Sequence, residues 1–287
     1  MEIKISKFCE HIYRRNDEFL YVPFPSNQKA STLLTLSIKS YELAENFIPN
    51  ISFPYSTLVL NLPNSEFLCI WQENGNWNIY LIDTKAFTIK KKLRSLQEFR
   101  CLLPVYSQKF AYFLTSSSKN YKNMIIWQLD LAENRWRKLN EFIGDWMVDS
   151  FVFFKQSLLI FGLKRGAIEK YDIITDSWSE IPFNILNKGK FFAFNARSTV
   201  IAFDKSGTIL ESADNNEYNW KKIGSISIKS FILKPISQSS RKNSIFFAYI
   251  KPENEDWERK PFYYRYNFAN KTLENVKIKE ECGCDLF

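Results

Sequence analysis

The sequence predicts an all-β fold built from repeated four-stranded units. Three observations predict it: a turn-and-tryptophan pattern recurs along the chain, a short apolar run precedes five of its six copies, and no linker or low-complexity stretch interrupts the series. In the best copies Leu129-Asp130-Leu131-Ala132-Glu133-Asn134-Arg135-Trp136 aligns with Tyr171-Asp172-Ile173-Ile174-Thr175-Asp176-Ser177-Trp178. Each holds an Asp, a polar turn, and a Trp six residues after the Asp. Asp closes a tight turn by accepting bonds from nearby backbone amides. The Trp then opens the next strand with a large apolar surface.

Weaker copies flank these two. Trp220 follows Asp214, and Leu273 follows Asn267, by the same six residues. Phe87 and Tyr41 close similar runs, so the anchors fall at 41, 87, 136, 178, 220 and 273, at intervals of 46, 49, 42, 42 and 53 residues. That is the length of a four-stranded unit with three turns. The preceding apolar runs are Phe67–Trp71, Phe110–Leu114, Leu158–Phe161, Val200–Phe203 and Ile245–Tyr249. A strand with one wet face alternates, and these runs do not, so both faces are expected to be buried. Small sheets stacked face to face around an axis achieve that and protect their edges. The expectation is a β-propeller of six four-stranded blades around a central channel. The predicted blades are 14–48, 54–93, 99–139, 146–182, 188–223 and 229–278, in a single domain over 1–278 with a tail at 279–287. A short helix near 39–46 is the alternative for that stretch.

The two best units resemble the Kelch repeat. The matching stretches are Glu169-Lys170-Tyr171-Asp172 through Trp178-Ser179-Glu180-Ile181-Pro182, and Ile126-Trp127-Gln128-Leu129-Asp130 through Trp136-Arg137-Lys138-Leu139. They cover the third and fourth strands of the unit. The Kelch pattern ends its second strand with two glycines; here Phe161-Gly162 keeps one and the other units keep none. The resemblance implies a propeller of five to seven blades presenting loops to a protein partner. Ser212-Ala213-Asp214 leading to Trp220 also looks like a degenerate Asp-box of sialidase-like propellers.

Composition narrows the chemistry. The chain has one histidine, His11, so a multi-histidine metal site is excluded and most histidine-centred acid–base mechanisms lose their main group. No metal and no cofactor is expected. The five cysteines, Cys9, Cys69, Cys101, Cys282 and Cys284, form no C-x-x-C pair, which fits reduced thiols and a cytoplasmic protein. The net charge of +8 comes from lysines scattered along the chain, not from one patch, which argues against nucleic acid. No apolar stretch is long enough to span a bilayer. Carboxylate chemistry stays open, because a glycosidase needs only two acids.

In such a fold the loops between second and third strands emerge together: 23–30, 72–78, 115–123, 163–166, 204–207 and 251–261. They hold Trp77, Tyr121 and Trp257, with Lys119, Arg165 and Arg259 among their cations. Aromatics and Arg dominate interface energies. The sequence reading is therefore a monomeric, non-enzymatic scaffold that binds an acidic protein partner through these six residues. The alternatives are a carboxylate-dependent glycan-acting propeller and an anion or nucleic-acid binder. Finally, Cys284-Asp285-Leu286-Phe287 is a C-a-a-X frame, which offers Cys284 for a prenyl anchor and Cys282 for a second lipid.

Overall fold

The computed structural model describes residues 13–14, 19–24, 31–37, 43–49, 51, 53, 57–62, 64–73, 76–95, 99–107, 109–117, 123–143, 148–164, 167–183, 191–196, 199–204, 207–212, 219–225, 232–235, 244–252, 259–267 and 272–276, with side chains only within 46–225. Every regular element among them is a strand. The first sheet holds β1 (Tyr13–Arg14), β2 (Phe19–Phe24), β3 (Ser31–Ser37) and β4 (Leu43–Ile48). Next come β5 (Leu58–Leu62), β6 (Glu66–Glu73), β7 (Asn76–Asp83) and β8 (Thr88–Lys92). The third sheet holds β9 (Phe99–Ser107), β10 (Phe110–Ser117), β11 (Asn123–Asp130) and β12 (Arg135–Lys138), with the short β13 (Phe142–Ile143) also on β11. The fourth holds β14 (Ser150–Phe154), β15 (Ser157–Lys164), β16 (Ala167–Asp172) and β17 (Ser177–Pro182). The fifth holds β18 (Phe191–Ala196), β19 (Thr199–Asp204), β20 (Thr208–Ser212) and β21 (Trp220–Ser225). The last holds β22 (Ile232–Pro235), β23 (Ser244–Pro252), β24 (Arg259–Asn267) and β25 (Thr272–Val276). In each sheet the first four strands lie in chain order, each beside the next, and the printed pairs run antiparallel. The stretch considered for a helix, 39–46, instead enters β4 at Leu43, where Leu36 faces Leu43 across the ladder.

Chain contacts gather these residues into two compact units. One comprises 1–72, 78–92 and 229–287; the other comprises 73–77 and 93–228. In the first unit the core is Ile48, Ile51, Phe53, Val59, Phe67, Cys69, Trp71 and Ile82. Phe53 meets Trp71 edge-on, and Trp71 stacks on Tyr80 at 5.1 Å. Burial pushes the Cys69 thiol far above its ordinary range, as expected of a core residue without a polar partner. In the second unit one apolar cluster joins β10 and β11 to β14, β15 and β16, and another joins β14–β17 to β18–β20. The second strands explain the non-alternating runs of the sequence. Leu158, Leu159, Ile160 and Phe161 are all buried, because Leu158 and Ile160 pack into the first cluster and Leu159 and Phe161 into the second; Val200, Ile201, Ala202 and Phe203 are buried likewise.

The turns from third to fourth strand repeat one device. Asp83 Oδ1 accepts from the amides of Lys85 (2.7 Å) and Ala86 (3.1 Å). Asp130 Oδ1 accepts from Ala132 (2.9 Å) and Glu133 (3.0 Å). Asp172 Oδ1 accepts from Ile174 and Thr175, both at 3.0 Å. Four residues after each Asp, the backbone turns left-handed, at Phe87, Asn134 and Asp176, with φ of 52°, 54° and 52°. The register then sets Trp136 opposite Leu129 and Trp178 opposite Tyr171. The equivalent position in the second sheet is Ile89, opposite Ile82, and in the first sheet Leu43. Phe87 is therefore not the strand anchor the spacing suggested. It occupies the left-handed slot that Asn and Asp fill elsewhere, and its ring packs on the first unit's core. Leu273, opposite Tyr266, keeps the register of Trp136, and Asn267 faces Thr272. Trp220 faces Ser212 and packs on Phe161 and Phe183. Tyr41 and Asp214 lie outside the described residues.

Within the second unit the tryptophans clasp the connection that precedes their sheet. Trp136 Nε1 donates to the Arg94 carbonyl at 2.8 Å, and Trp178 Nε1 donates to the Asn140 carbonyl at 3.2 Å. The turn residues complete the clasp. The Arg94 amide donates to Asn134 Oδ1 at 3.1 Å, and Asn140 Nδ2 donates to the Asp176 carbonyl at 2.9 Å. Both tryptophans are half-buried rather than fully enclosed.

Candidate functional site

In the second unit the first strands of successive sheets, β9, β14 and β18, lie beside one another. The seam between β14 and β18 is fastened by side chains. Asp149, just before β14, accepts from the Phe191 amide through Oδ2 at 3.1 Å. The Ser150 hydroxyl donates to the Phe191 carbonyl at 3.0 Å and accepts from the Ala193 amide at 2.9 Å. Farther along, Asn195 Nδ2 donates to the Phe153 carbonyl at 3.1 Å. Two polar side chains thus replace a backbone ladder at the entrance of this seam.

A second carboxylate reaches the same end. Asp204 closes β19 directly opposite Phe191. Opposed residues of an antiparallel pair lie about 5 Å apart at Cα and point to the same face. That face carries Phe191, Ala193, Val200 and Ala202 and packs against β14–β17, so Asp204 points toward the sheet that bears Asp149. Asp204 is 2% exposed. Its Oδ1 accepts from the Thr208 amide at 2.9 Å, and its carbonyl accepts from Gly207 at 3.0 Å. The Phe191 ring meets Phe183 edge-on at 5.1 Å.

Gly162 makes room for this arrangement. Its φ is +99°, and a Cβ built there would lie 2.7 Å from Asp149 Oδ2 and 2.8 Å from the Asp149 nitrogen. The Asp149 amide in turn donates to the Phe161 carbonyl at 2.9 Å. The one second-strand glycine retained by the sequence thus lies directly under a carboxylate. Neither Asp149 and Ser150 nor Asp204 belongs to a motif in the sequence. Their signal, an acid at a strand entrance and another at a strand exit, becomes visible only once β14 and β18 are adjacent.

Of the residues expected to bind a partner, Trp77 and Arg259 fall among the described residues. Trp77 lies on β7 and is 7% exposed, so it is a core residue and not a loop anchor. Arg259 opens β24 opposite Pro252. Tyr121, Trp257, Arg165 and Lys119 lie outside the described residues, as do His11, Cys282 and Cys284. Among the described residues no cluster of His, Cys, Asp and Glu could hold a metal ion, and no helix is long and apolar enough to cross a membrane.

No family model and no curated protein matches the chain. Solved structures do match. One is a luciferin-regenerating enzyme, with a TM-score of 0.60 and 10% sequence identity over 99% of this chain and 98% of that one. At that identity the likeness is one of fold, and the fold is propeller-like. The finding corrects the expectation of a non-enzymatic scaffold: the solved protein that this chain follows end to end is an enzyme. The burial of Trp77 removes one of the aromatics on which the scaffold reading stood.

Proposed function

We propose that this chain is a β-propeller enzyme of carboxylate chemistry that hydrolyses a glycosidic bond, with Asp149 and Asp204 as its acid pair. The observation that carries the reading is that two acids neighbour one residue, Phe191. Asp149 Oδ2 holds the Phe191 amide, and Asp204 stands opposite Phe191 in the next ladder. Glycoside hydrolysis needs two carboxyl groups about 5–10 Å apart, one to protonate the leaving oxygen and one to attack or to activate water. The scarcity of histidine also favours carboxylates as the proton-transfer groups.

The finer architecture we propose is six four-stranded blades of Kelch type in a single ring, with this end of β14 and β18 at one mouth of the channel. The run of four-stranded antiparallel sheets and the end-to-end likeness to a propeller-like enzyme support it.

The test is a panel of nitrophenyl glycosides offered to the full chain and to its Asp149→Asn and Asp204→Asn variants. Asn keeps the shape and an acceptor oxygen but cannot cycle a proton. Turnover by the wild type that falls about 100-fold or more in each folded variant supports the reading. Turnover that survives both substitutions sinks it.

A further inference from the structure

In the second unit β12, β17 and β21 each stand last in the order of their sheet, so one side of each has no neighbouring strand among the described residues. Such an edge turns amides and carbonyls outward and is a template for a further strand. Two of these edges are cationic. β12 exposes Arg135, Arg137 and Lys138, and β21 exposes Lys221 and Lys222. β17 is different: its exposed residues are Ser177, Ser179, Glu180 and Pro182, and it bears no Lys or Arg. Its surroundings are acidic. Glu180 faces Glu169 across the ladder, and Asp172 and Asp176 bound the turn that leads into it. Within β16 and β17 the one cation is Lys170.

Like charges repel across a ladder and opposite charges attract, so the cationic edges repel one another and complement β17. Of the two, β12 is the better complement. Lys221 already faces Glu211 in its own sheet, whereas Arg137 faces the neutral Gln128. Arg135 lies 3.4 Å from Glu133 and Lys138 lies 3.1 Å from Glu141, but Arg137 forms no ion pair among the described residues. An antiparallel addition that sets Glu180 opposite Arg137 of a second copy also sets Ser179 opposite Lys138, Ile181 opposite Trp136 and Pro182 opposite Arg135. No like charges then face one another.

We propose that the chain associates with itself head to tail, the β17 edge of one copy adding to the β12 edge of a second. The two patches differ, so each pair leaves one edge of either kind unused and association continues past the dimer. Sedimentation equilibrium of the full chain at low ionic strength tests this over about 1–300 µM, the range in which so short a contact dissociates. The weight-average mass is expected to rise with concentration beyond that of a dimer and to fall back as salt is added. Glu180→Lys and Arg137→Glu/Lys138→Glu alter exposed side chains only, and each should weaken association about tenfold or more. Mixing the two variants should restore it, because each supplies the charge opposite to the one the other has reversed. A mass that stays monomeric at every concentration or stops at the dimer would overturn the proposal. So would variants that associate like wild type, or a mixture that does not recover.

Discussion

Single residues set the local geometry, and their effects are separable. Gly162 combines a left-handed backbone with an approach to Asp149 that leaves no space for a Cβ. Gly162→Ala is expected to cost about 2 kcal/mol or more, from backbone strain and from the shift it forces on Asp149. Urea unfolding measures it, and an unchanged midpoint would show that the close approach is not maintained in solution. Asp172 behaves differently, because two backbone amides, that of Thr175 foremost, hold its carboxyl below the usual carboxylate range. A depressed folded pKa stabilises the fold above the unfolded value of 3.8 and loses that contribution as pH falls through the folded value. The melting-temperature gap between wild type and Asp172→Asn should therefore narrow from pH 6 to pH 3. A gap that is constant or widens with acid would contradict the assignment. The Asp-to-Trp frames were legible in the sequence because an Asp that caps its own turn is written in consecutive residues. Phe87 misled because an aromatic ring stands where the turn needs only a left-handed residue.

At the scale of elements, the sheets depend on the tryptophans less by enclosure than by fastening. Trp178 packs on Tyr171 at 4.9 Å and donates to the carbonyl of Asn140 in the connection before its sheet. Tyr171 also donates to Asp176 at the same turn, so ring, indole and turn brace one another. Trp178→Ala removes a half-buried ring and a side-chain hydrogen bond together and should cost about 3 kcal/mol. Trp178→Phe should recover the ring's share of that cost and leave the hydrogen-bond share. Chemical denaturation of both variants decides, and equal stability of Trp178→Ala and wild type would remove the clasp. The second strands were legible as buried on both faces because their apolar runs break the alternation of a half-wet strand. The exposure of Trp77 was misread for a related reason. Its position near a predicted hairpin tip suggested a loop, but β7 already begins at Asn76 and turns the indole inward.

At the scale of the molecule, the repeat foretold four-stranded antiparallel sheets, with β13 an addition to the third that the spacing did not show. It could not give the site. Asp149 and Asp204 lie in different units of the repeat, and only the packing of β14 against β18 makes Phe191 their common neighbour. Neither residue sits in a motif, so a local reading passes over them and favours the loop aromatics. The acid pair proposed here is a tertiary feature, which a local reading of the sequence does not reach. The most direct measurement of the central claim is kcat/KM for wild type, Asp149→Asn, Asp204→Asn and the double variant on a glycoside that the chain hydrolyses. Groups that act as one catalytic unit are non-additive, so the double variant should be no slower than the slower single variant, all with melting temperatures close to wild type. Independent, multiplicative losses, or rates that follow stability rather than charge, would contradict a shared catalytic role for the two carboxylates.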